Sequence, residues 1–216
     1  MIDYTVMNQA LYEGKAPVVQ QMTEQAVAEG IAPEVILEEG LIAGMSVVGE
    51  DFKYNRLYVP QVLVAARAMK AGMAVLKPLL AKNKNLKPKG TLVMGTVKGD
   101  LHDIGKNLVC MMAEGAGYKV VDIGVDMNVD KFKQAARAHK PEIIGMSALL
   151  TTTMPYMKIV IDAFQSDAEF KHIKLCIGGA PVSEMFAEEI GAHGYAGDAS
   201  SAVELFNRLI QEQVAA

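Results

Sequence analysis

The feature that most restricts how this chain can fold is an alternation of short apolar runs with helical segments after residue 90. The apolar runs have the length of strands and fall at 91–95, 119–124, 142–147, 173–178 and 194–196. The helical segments fall near 104–116, 128–139, 154–165, 182–190 and 199–212. Strands that alternate with helices predict right-handed crossovers and a parallel sheet. Five strands favour a flavodoxin-like, Rossmann-like sheet in the order 2-1-3-4-5.

The first 80 residues have a different pattern, because helical periodicity runs through them without strand-like runs. Four helices are predicted, at about 3–12, 16–29, 33–49 and 59–80. The third is apolar on nearly every face and is expected to be central, with a turn after it at 51–56. Short connections between four helices predict a small four-helix bundle.

A polar, basic stretch that ends in Pro and Gly separates these two patterns, at residues 81–90. Such a composition is typical of a linker. We therefore predict an α/β protein of two domains, a helical bundle at 1–88 and a parallel-sheet domain at 89–216. The linker is expected to let the bundle move relative to the sheet domain.

Composition excludes some classes of partner. The formal net charge of −4 leaves no basic surface for nucleic acid. The first residues lack the pattern of a secretory signal, and no charge-free apolar run reaches the length of a membrane span. Cys110 and Cys176 lie in apolar runs without CxxC spacing, which predicts buried thiols in a reducing compartment. We expect a cytoplasmic protein with no nucleic-acid or membrane partner.

Polar residues and glycines follow three of the predicted strands. In the order 2-1-3-4-5 the sheet has its switch point between strands 1 and 3, where open α/β sheets bind ligands. The loops after strands 1, 3 and 4 therefore open on one edge of the sheet. Their conspicuous residues are Asp100, His102, Ser147, Thr151, Thr152, Thr153, Gly178 and Gly179.

His102 is the residue at this edge that is most able to carry chemistry, as a base, a metal ligand or a bystander. Asp100 could accept a hydrogen bond from one ring nitrogen and leave the other nitrogen free for a metal. One histidine without a second obvious ligand gives little support to a zinc site. A metal that brings its own equatorial ligands needs only one protein ligand, which favours a tetrapyrrole without selecting the macrocycle. Thr151–Thr153 could instead cap the helix near residue 154. The remaining histidines, His139, His172 and His193, are expected at the surface.

Three blocks of sequence resemble the cobalamin-binding pattern DxHxxG…SxL…GG. They are Asp100-Leu-His102-Asp-Ile-Gly105, Ser147-Ala-Leu149 and Gly178-Gly179, separated by residues 106–146 and 150–177. The first half of the chain is similar to the helical cap that accompanies this module, at 47–52, 57–62 and 65–69. The chain thus resembles corrinoid proteins of methylamine- and betaine-type methyltransferase systems, and its module is similar to the cobalamin-binding region of methionine synthase.

The resemblance implies a role for each matching residue. His102 would be the lower axial ligand of cobalt, Asp100 would bond the far side of its ring, and Thr153 would complete this relay. The cofactor would be cobalamin, carried as methylcobalamin or a related corrinoid. The other residues of the first and second blocks assigned to cofactor binding are Gly99, Leu101, Asp103, Ile104, Gly105 and Leu149.

The remaining assignments concern the nucleotide tail and the upper face of the cofactor. Ser147 and Thr151 would contact the tail, and Gly178 and Gly179 would let it pass close to the main chain. Ala199 would line the far end of the tail pocket. In the cap, two residues would cover the upper face, where the methyl group sits: Phe52 and Val59.

The resemblance also implies a function, that of a methyl carrier that is not catalytic alone. A substrate-specific methyltransferase would place a methyl group from a methylated amine or betaine on cobalt(I). A second methyltransferase would pass it from methylcobalt(III) to tetrahydrofolate or a thiol cofactor, and a reductive activation protein would be a third partner. Alternatives are a methanol- or aryl-ether-linked corrinoid protein and a cobalamin-dependent sensor. Such sensors add a DNA-binding domain ahead of the cap, whereas this chain is expected to begin its cap almost at once.

Overall fold

The computed structural model of the chain describes residues 2–80 and 88–215. These residues form two compact units, one of residues 2–80 with 115–117 and the other of residues 88–114 with 118–215. The predicted linker at 81–90 falls mostly on residues 81–87, which lie outside the described residues. Its function as a hinge and the predicted domain boundary at residue 88 therefore stay predictions.

The first unit is helical. Its elements are α1 (Tyr4–Tyr12), α2 (Ala16–Ala28), α3 (Pro33–Val35), a π-helical segment (Ile36–Ile42), α4 (Ala43–Lys53) and α5 (Val59–Leu80). Asp3 begins α1 as its N-cap, because its carboxylate accepts a hydrogen bond from the N–H of Thr5 at 2.9 Å. Helices α1, α2 and α5 begin and end within two residues of the predicted positions.

The third predicted helix differs from its prediction. It is one continuous helical stretch from Pro33 to Lys53, and its middle turn is π-helical. Only one face is buried, while Val35 and Val47 are exposed, so the expectation that a helix apolar on nearly every face would be central was wrong. Gly40 in the π turn lies close to α1, where a Cβ would be 2.7 Å from Met7 Sδ, so the Met7 side chain would have to shift to admit one.

Helix α5 is the longest element and packs mainly against α2. By length and composition alone it could also cross a membrane, with a mean hydropathy of 1.3 over its most apolar stretch. One such helix is weak support for a membrane span, because core helices pass the same test. Its buried residues form a stripe at helical spacing: Val62, Ala65, Ala66, Ala68, Met69, Gly72 and Leu76.

The second unit is a five-stranded parallel sheet in the order β2-β1-β3-β4-β5. Its strands are β1 (Thr91–Thr96), β2 (Lys119–Asp122), β3 (Ile143–Ser147), β4 (Lys174–Gly178) and β5 (Gly194–Ala196). Its helices are α6 (Ile104–Gly115), α7 (Val129–His139), α8 (Pro155–Gln165), α9 (Glu184–Ile190) and α10 (Ala199–Ala215). The predicted fold class and strand order are confirmed.

The core of this unit lies between the central strands and the helices that cover them. Strands β1 and β3 are buried almost throughout, as expected of strands covered on both faces. Phe132 on α7 and Phe164 on α8 are the largest fully buried side chains of the described residues. Cys110 and Cys176 are both buried, as predicted, and burial raises the pKa of the Cys176 thiol to about 12.

Candidate cofactor-binding site

The carboxyl edge of the sheet brings the sequence motifs into one row. Thr96 at the end of β1 is the register partner of Ser147 at the end of β3, and Ser147 is the partner of Gly178 at the end of β4. Ala196 on β5 continues the row. The loops that follow these strands therefore begin side by side, at the switch point where ligands bind in such sheets. This register explains how blocks that are far apart in sequence meet.

Asp100 is the centre of the hydrogen bonds at this edge, and its side chain is 0% exposed. One carboxylate oxygen, Oδ1, accepts from the main-chain N–H and the ring Nδ1 of His102, at 3.0 and 2.7 Å. The other, Oδ2, accepts from the N–H groups of Leu149 and Leu150, at 2.7 and 3.3 Å, and from the Thr153 hydroxyl at 2.7 Å. Burial opposes ionisation, but these hydrogen bonds outweigh it and hold the pKa of the Asp100 carboxyl well below its usual range.

His102 has the protonation pattern of a metal ligand. Because the ionised Asp100 can only accept, the ring Nδ1 donates the proton of this hydrogen bond, and the lone pair of the neutral ring lies on Nε2. The side chain is 51% exposed. Among the described residues no hydrogen bond involves Nε2. The site therefore presents Nε2 of a ring whose orientation is fixed by the hydrogen bond between Nδ1 and Asp100.

Thr153 is buried and belongs to this arrangement. Its hydroxyl lies 2.7 Å from Asp100 Oδ2 and 2.9 Å from the Leu150 carbonyl oxygen, and the charged acceptor binds the single hydroxyl proton more strongly. Helix α8 begins with Met154 as its N-cap and has no side-chain cap. The alternative in which Thr153 caps this helix is therefore wrong. Thr151 is exposed and is not among the groups that bond Asp100.

Gly178 and Gly179 are required by the packing of the chain itself. A Cβ on Gly179 would lie 1.9 Å from the carbonyl oxygen of Ala148, and its φ of +133° disfavours any other residue. A Cβ on Gly178 would lie 2.9 Å from the carbonyl oxygen of Ala196. Gly179 lets the loops after β3 and β4 approach each other, and Gly178 lets the end of β4 lie close to β5. Their predicted contact with a nucleotide tail stays a prediction.

The other predicted residues lie in several places. Leu101 and Ile104 flank His102 and are 71% and 77% exposed, which is unusual for large apolar side chains. Gly105 follows, and a Cβ there would meet open space. Asp103 accepts a hydrogen bond from the Asn107 amide at 3.0 Å within α6.

Four further assignments concern residues that do not bond Asp100 or His102. Gly99 directly precedes the first block of the motif and has a φ of +84°. Ala199 is buried at the start of α10. Phe52 and Val59 belong to the helical unit, at the end of α4 and the start of α5, and both are half-buried. Their predicted roles stay predictions.

Two residues near the site were not predicted from the sequence. Thr96 is fully buried, and its hydroxyl donates to the carbonyl oxygen of His102 at 2.9 Å, which fixes the main chain of that residue. Lys106 has a side chain that is almost wholly buried, and its ammonium group contacts Asp122 Oδ2 and Asn107 Oδ1. A polar residue at the end of an apolar run was the available signal for Thr96. A lysine in the first turn of a helix, where cations are disfavoured, was the signal for Lys106.

The donor groups of the site fit a macrocyclic metal cofactor. In the described part of the chain no group of three or more His, Cys, Asp or Glu side chains could hold a metal ion. A metal at His102 would therefore have one protein ligand and would have to bring its others. The exposed apolar side chains of Leu101 and Ile104 beside the free ring nitrogen suit the face of a large, largely apolar ring.

Comparison with known proteins agrees with this chemistry. A family model described as a B12 binding domain matches residues 90–206, and a second model with the same description matches residues 5–77. The first alone covers more than half of the chain. The chain therefore belongs to the B12-binding family, and its cofactor is a corrinoid of the cobalamin type.

Similar proteins narrow the class to corrinoid proteins of methyltransferase systems. A corrinoid protein of Desulfitobacterium hafniense (strain Y51) is 40% identical over 206 residues, which are 94% of this chain and 95% of that protein. Trimethylamine corrinoid protein 1 of Methanosarcina acetivorans is 42% identical over 184 residues, which are 85% of each chain. The crystal structure of the methanol:cobalamin methyltransferase complex from Methanosarcina barkeri is similar with a TM-score of 0.84 and 30% identity, over 95% of this chain and 78% of that one.

Proposed function

We propose that the chain is a corrinoid methyl carrier that serves two methyltransferases and is not catalytic alone. The observation that carries this proposal is His102, whose exposed Nε2 is free while Nδ1 is bonded to the buried Asp100. When bound, the corrinoid supplies a cobalt centre that takes up and releases a methyl group. His102 would hold this metal by supplying one oriented nitrogen.

The residues of the chain have separate parts in this function. His102 would ligate the metal through Nε2. Asp100 fixes the tautomer and direction of the ring, and an anionic partner on Nδ1 makes Nε2 a stronger ligand. Thr153 and the N–H of Leu149 hold the carboxylate, so that it does not turn away from the ring. Leu101 and Ile104 would exclude water from the ligated nitrogen.

We propose a methylated amine as the methyl donor, through a substrate-specific partner methyltransferase. Relatives named trimethylamine and dimethylamine corrinoid proteins, at 40–43% identity to this chain, support this choice. The second methyltransferase, with tetrahydrofolate or a thiol as acceptor, the reductive activation protein and a cytoplasmic location belong to the same proposal.

A methanol-linked carrier is the second candidate. The similarity to the methanol:cobalamin methyltransferase complex supports it, since the identity of 30% extends over nearly all of this chain. The two candidates share the site around His102 and differ only in the partner that delivers the methyl group. The donor is therefore distinguished by the partner enzyme and not by the cofactor.

The first experiment tests the ligand. The purified protein, labelled with 15N-histidine, is loaded with hydroxocobalamin and reduced to cobalt(II), and the EPR spectrum is expected to show the nitrogen splitting of 15N from His102, which differs from that of the unlabelled base of the cofactor. The His102→Ala variant is expected to lose that splitting. His139→Ala, which removes an exposed histidine from the end of α7, is the matched control and should keep it. Splitting from 15N that survives in His102→Ala would overturn the assignment.

The second experiment tests the donor. The loaded protein, reduced to cobalt(I), is mixed with a trimethylamine, dimethylamine or methanol methyltransferase and the matching substrate, and methylation is followed by absorbance. Rapid methylation with an amine methyltransferase supports the first candidate. Methylation only with the methanol methyltransferase would overturn it in favour of the second.

A further inference from the structure

A second loop holds the main chain of Asp100, in addition to the loop that holds its carboxylate. This loop joins β2 to α7 and contains Asp126. The N–H of Asp126 donates to the carbonyl oxygen of Asp100 at 3.0 Å, and the Asp126 carboxylate accepts from the N–H of Gly99 at 2.8 Å. One exposed residue thus makes a hydrogen bond to each of two consecutive residues of the cofactor motif.

Asp126 adopts an uncommon conformation to make these bonds. Its φ is +55°, and only Asn55 and Lys140 share a positive φ among the non-glycine residues that the structure describes. Lys140 has an ordinary reason, because it ends α7 in the left-handed conformation typical of that position. Asp126 ends no helix. A left-handed non-glycine residue persists where its surroundings hold it, and here they include both hydrogen bonds to the motif.

Neighbouring bonds tie this loop firmly to β1. The N–H of Met127 donates to the carbonyl oxygen of Thr96 at 2.9 Å. The N–H of Thr96 donates to the carbonyl oxygen of Gly124 at 3.0 Å. Val97 and Met127 form an isolated parallel bridge. Asp126 is therefore attached to the end of the sheet, and it transmits that fixed position to Gly99 and Asp100.

The two sets of bonds to Asp100 have different consequences. The loop after β3 determines where the carboxylate points, through Leu149, Leu150 and Thr153. The β2–α7 loop determines where the main chain lies. Without the bond from the Asp126 N–H, the turn bond from Asp100 N–H to the Val97 carbonyl oxygen, at 3.1 Å, would be the remaining main-chain bond of Asp100. The position of His102, two residues further on, depends on this segment.

We propose that Asp126 is a positioning residue for the cofactor ligand, which fixes the Gly99–Asp100 main chain so that the His102 ring is presented at the cofactor. This inference rests on the proposed function, because it requires His102 to be the ligand. The side-chain group of Asp126 that acts is the carboxylate oxygen, which accepts from the Gly99 N–H while the main chain of Asp126 is left-handed. Asparagine has the same oxygen and tolerates the same conformation, whereas glycine tolerates the conformation and has no acceptor.

The test compares Asp126→Gly with Asp126→Asn in the cobalt(II) protein loaded with hydroxocobalamin. With 15N-histidine in the protein, the EPR spectrum measures the ratio of histidine-ligated cobalt to cobalt without a histidine ligand, and equilibrium titration measures the affinity for hydroxocobalamin. We expect Asp126→Gly to lower the ligated-to-unligated ratio by about tenfold, the size of effect typical of residues that orient a ligand. Asp126→Asn should stay near the wild-type ratio. Lys140→Gly is the matched control, because it places glycine at another left-handed position and should leave the ratio unchanged.

Each outcome decides the inference. A wild-type ratio in Asp126→Gly would overturn it, as would an equal loss in the glycine and asparagine variants, which would assign the effect to charge. Absence of 15N splitting in the wild type would instead overturn the proposed function itself. Amide hydrogen exchange of the wild-type apoprotein gives an independent check if the glycine variant does not fold. The exposed Gly99 N–H should then be protected, and exchange at the rate of an unfolded chain would contradict the proposal.

Discussion

The two edges of the parallel sheet each hold a histidine and use it in opposite ways. At the carboxyl edge, the His102 ring donates through Nδ1 to a buried carboxylate, and its Nε2 is free and exposed. At the amino edge, the half-buried His193 precedes β5, and its Nδ1 accepts the N–H of Leu175 at 3.0 Å. The main-chain N–H of His193 also donates to the carbonyl oxygen of Leu175, at 2.8 Å.

The hydrogen-bond partner of Nδ1 in each histidine determines whether Nε2 carries a lone pair that is available to a ligand. A carboxylate partner makes Nδ1 a donor and leaves a lone pair on the outward nitrogen. An amide partner makes Nδ1 an acceptor, so the ring completes the pairing of two strands instead. The prediction that His193 is a surface residue was therefore wrong. Changes at the carboxyl edge should alter cofactor binding, whereas changes at the amino edge should alter stability alone.

The largest effect is expected at the carboxyl edge for Gly179→Ala. The new Cβ would lie 1.9 Å from a main-chain oxygen at a strained φ. Overpacking and strain together predict a loss of about 4 kcal/mol in the free energy of unfolding, measured by urea denaturation of the apoprotein. Gly105→Ala is the control, since its Cβ meets open space in α6, and it should stabilise by about 0.5–1 kcal/mol. A Gly179→Ala loss below about 1 kcal/mol would contradict this packing.

The next effect concerns the carboxylate that orients His102. Asp100→Asn replaces an acceptor by an amide donor that faces other donors, so the buried bonds cannot all be kept. We expect a loss of about 3 kcal/mol in the stability of the apoprotein. This loss should become smaller as the pH falls. Because the pKa of Asp100 is lowered by folding, the ionised carboxylate contributes its full stabilisation at neutral pH, and that stabilisation is lost when the group is protonated in acid. Exposed Asp130→Asn should change stability by less than about 1 kcal/mol.

A smaller effect is expected at Thr153, where two substitutions distinguish the contribution of the hydroxyl group from that of the side-chain volume. Thr153→Val removes the donor to Asp100 while filling a similar volume, and it should lose about 1.5 kcal/mol of stability and part of the His102 ligation. Thr153→Ser keeps the hydroxyl and should keep the ligation seen by EPR. Equal ligation in both variants would show that the hydroxyl has no part in the relay.

The smallest effect tests the amino edge through pH. Burial, followed by the charge of Lys174, lowers the pKa of His193 below 6.5. Below pH 6.5 the unfolded chain therefore binds a proton that the folded chain resists, so stability falls as the pH decreases. His193→Asn keeps an acceptor for Leu175 and cannot titrate, so it should reduce the difference in stability between pH 7.5 and 5.5. Cofactor binding at neutral pH should be unchanged, and a change there would contradict the contrast between the edges.

Much of the fold could be predicted because it depends on the period of apolar residues. The alternation of five strand-like runs with helical segments after residue 90 was enough to predict the strand order. That order in turn predicted the sheet edge that carries Asp100, His102 and Ser147. The roles of these residues remain proposals. Their contacts follow from the register of β1 with β3, which the topology implies.

The features that were missed depend on contacts between distant residues. The π-helical turn at Ile36–Ile42 packs against α1, and the apolar period of the sequence did not indicate it. Asp126 is an exposed polar residue in a loop, and only its left-handed conformation and its bonds to Gly99 and Asp100 distinguish it. The assignment of Gly178 and Gly179 to a nucleotide tail stays a prediction, and a packing requirement within the chain is sufficient reason for these glycines.

The division of the hydrogen bonds to Asp100 between two loops has a consequence for any rotation of the His102 imidazole. Three of the five donors to the carboxylate, from Leu149, Leu150 and Thr153, belong to a loop that His102 does not share. A rotation of the His102 ring away from Asp100 would remove one of the five donors, and the anion would keep the other four, among them the main-chain N–H of His102. The carboxylate would therefore stay in place as an acceptor for Nδ1, because the loop after β3 holds it independently of the ring.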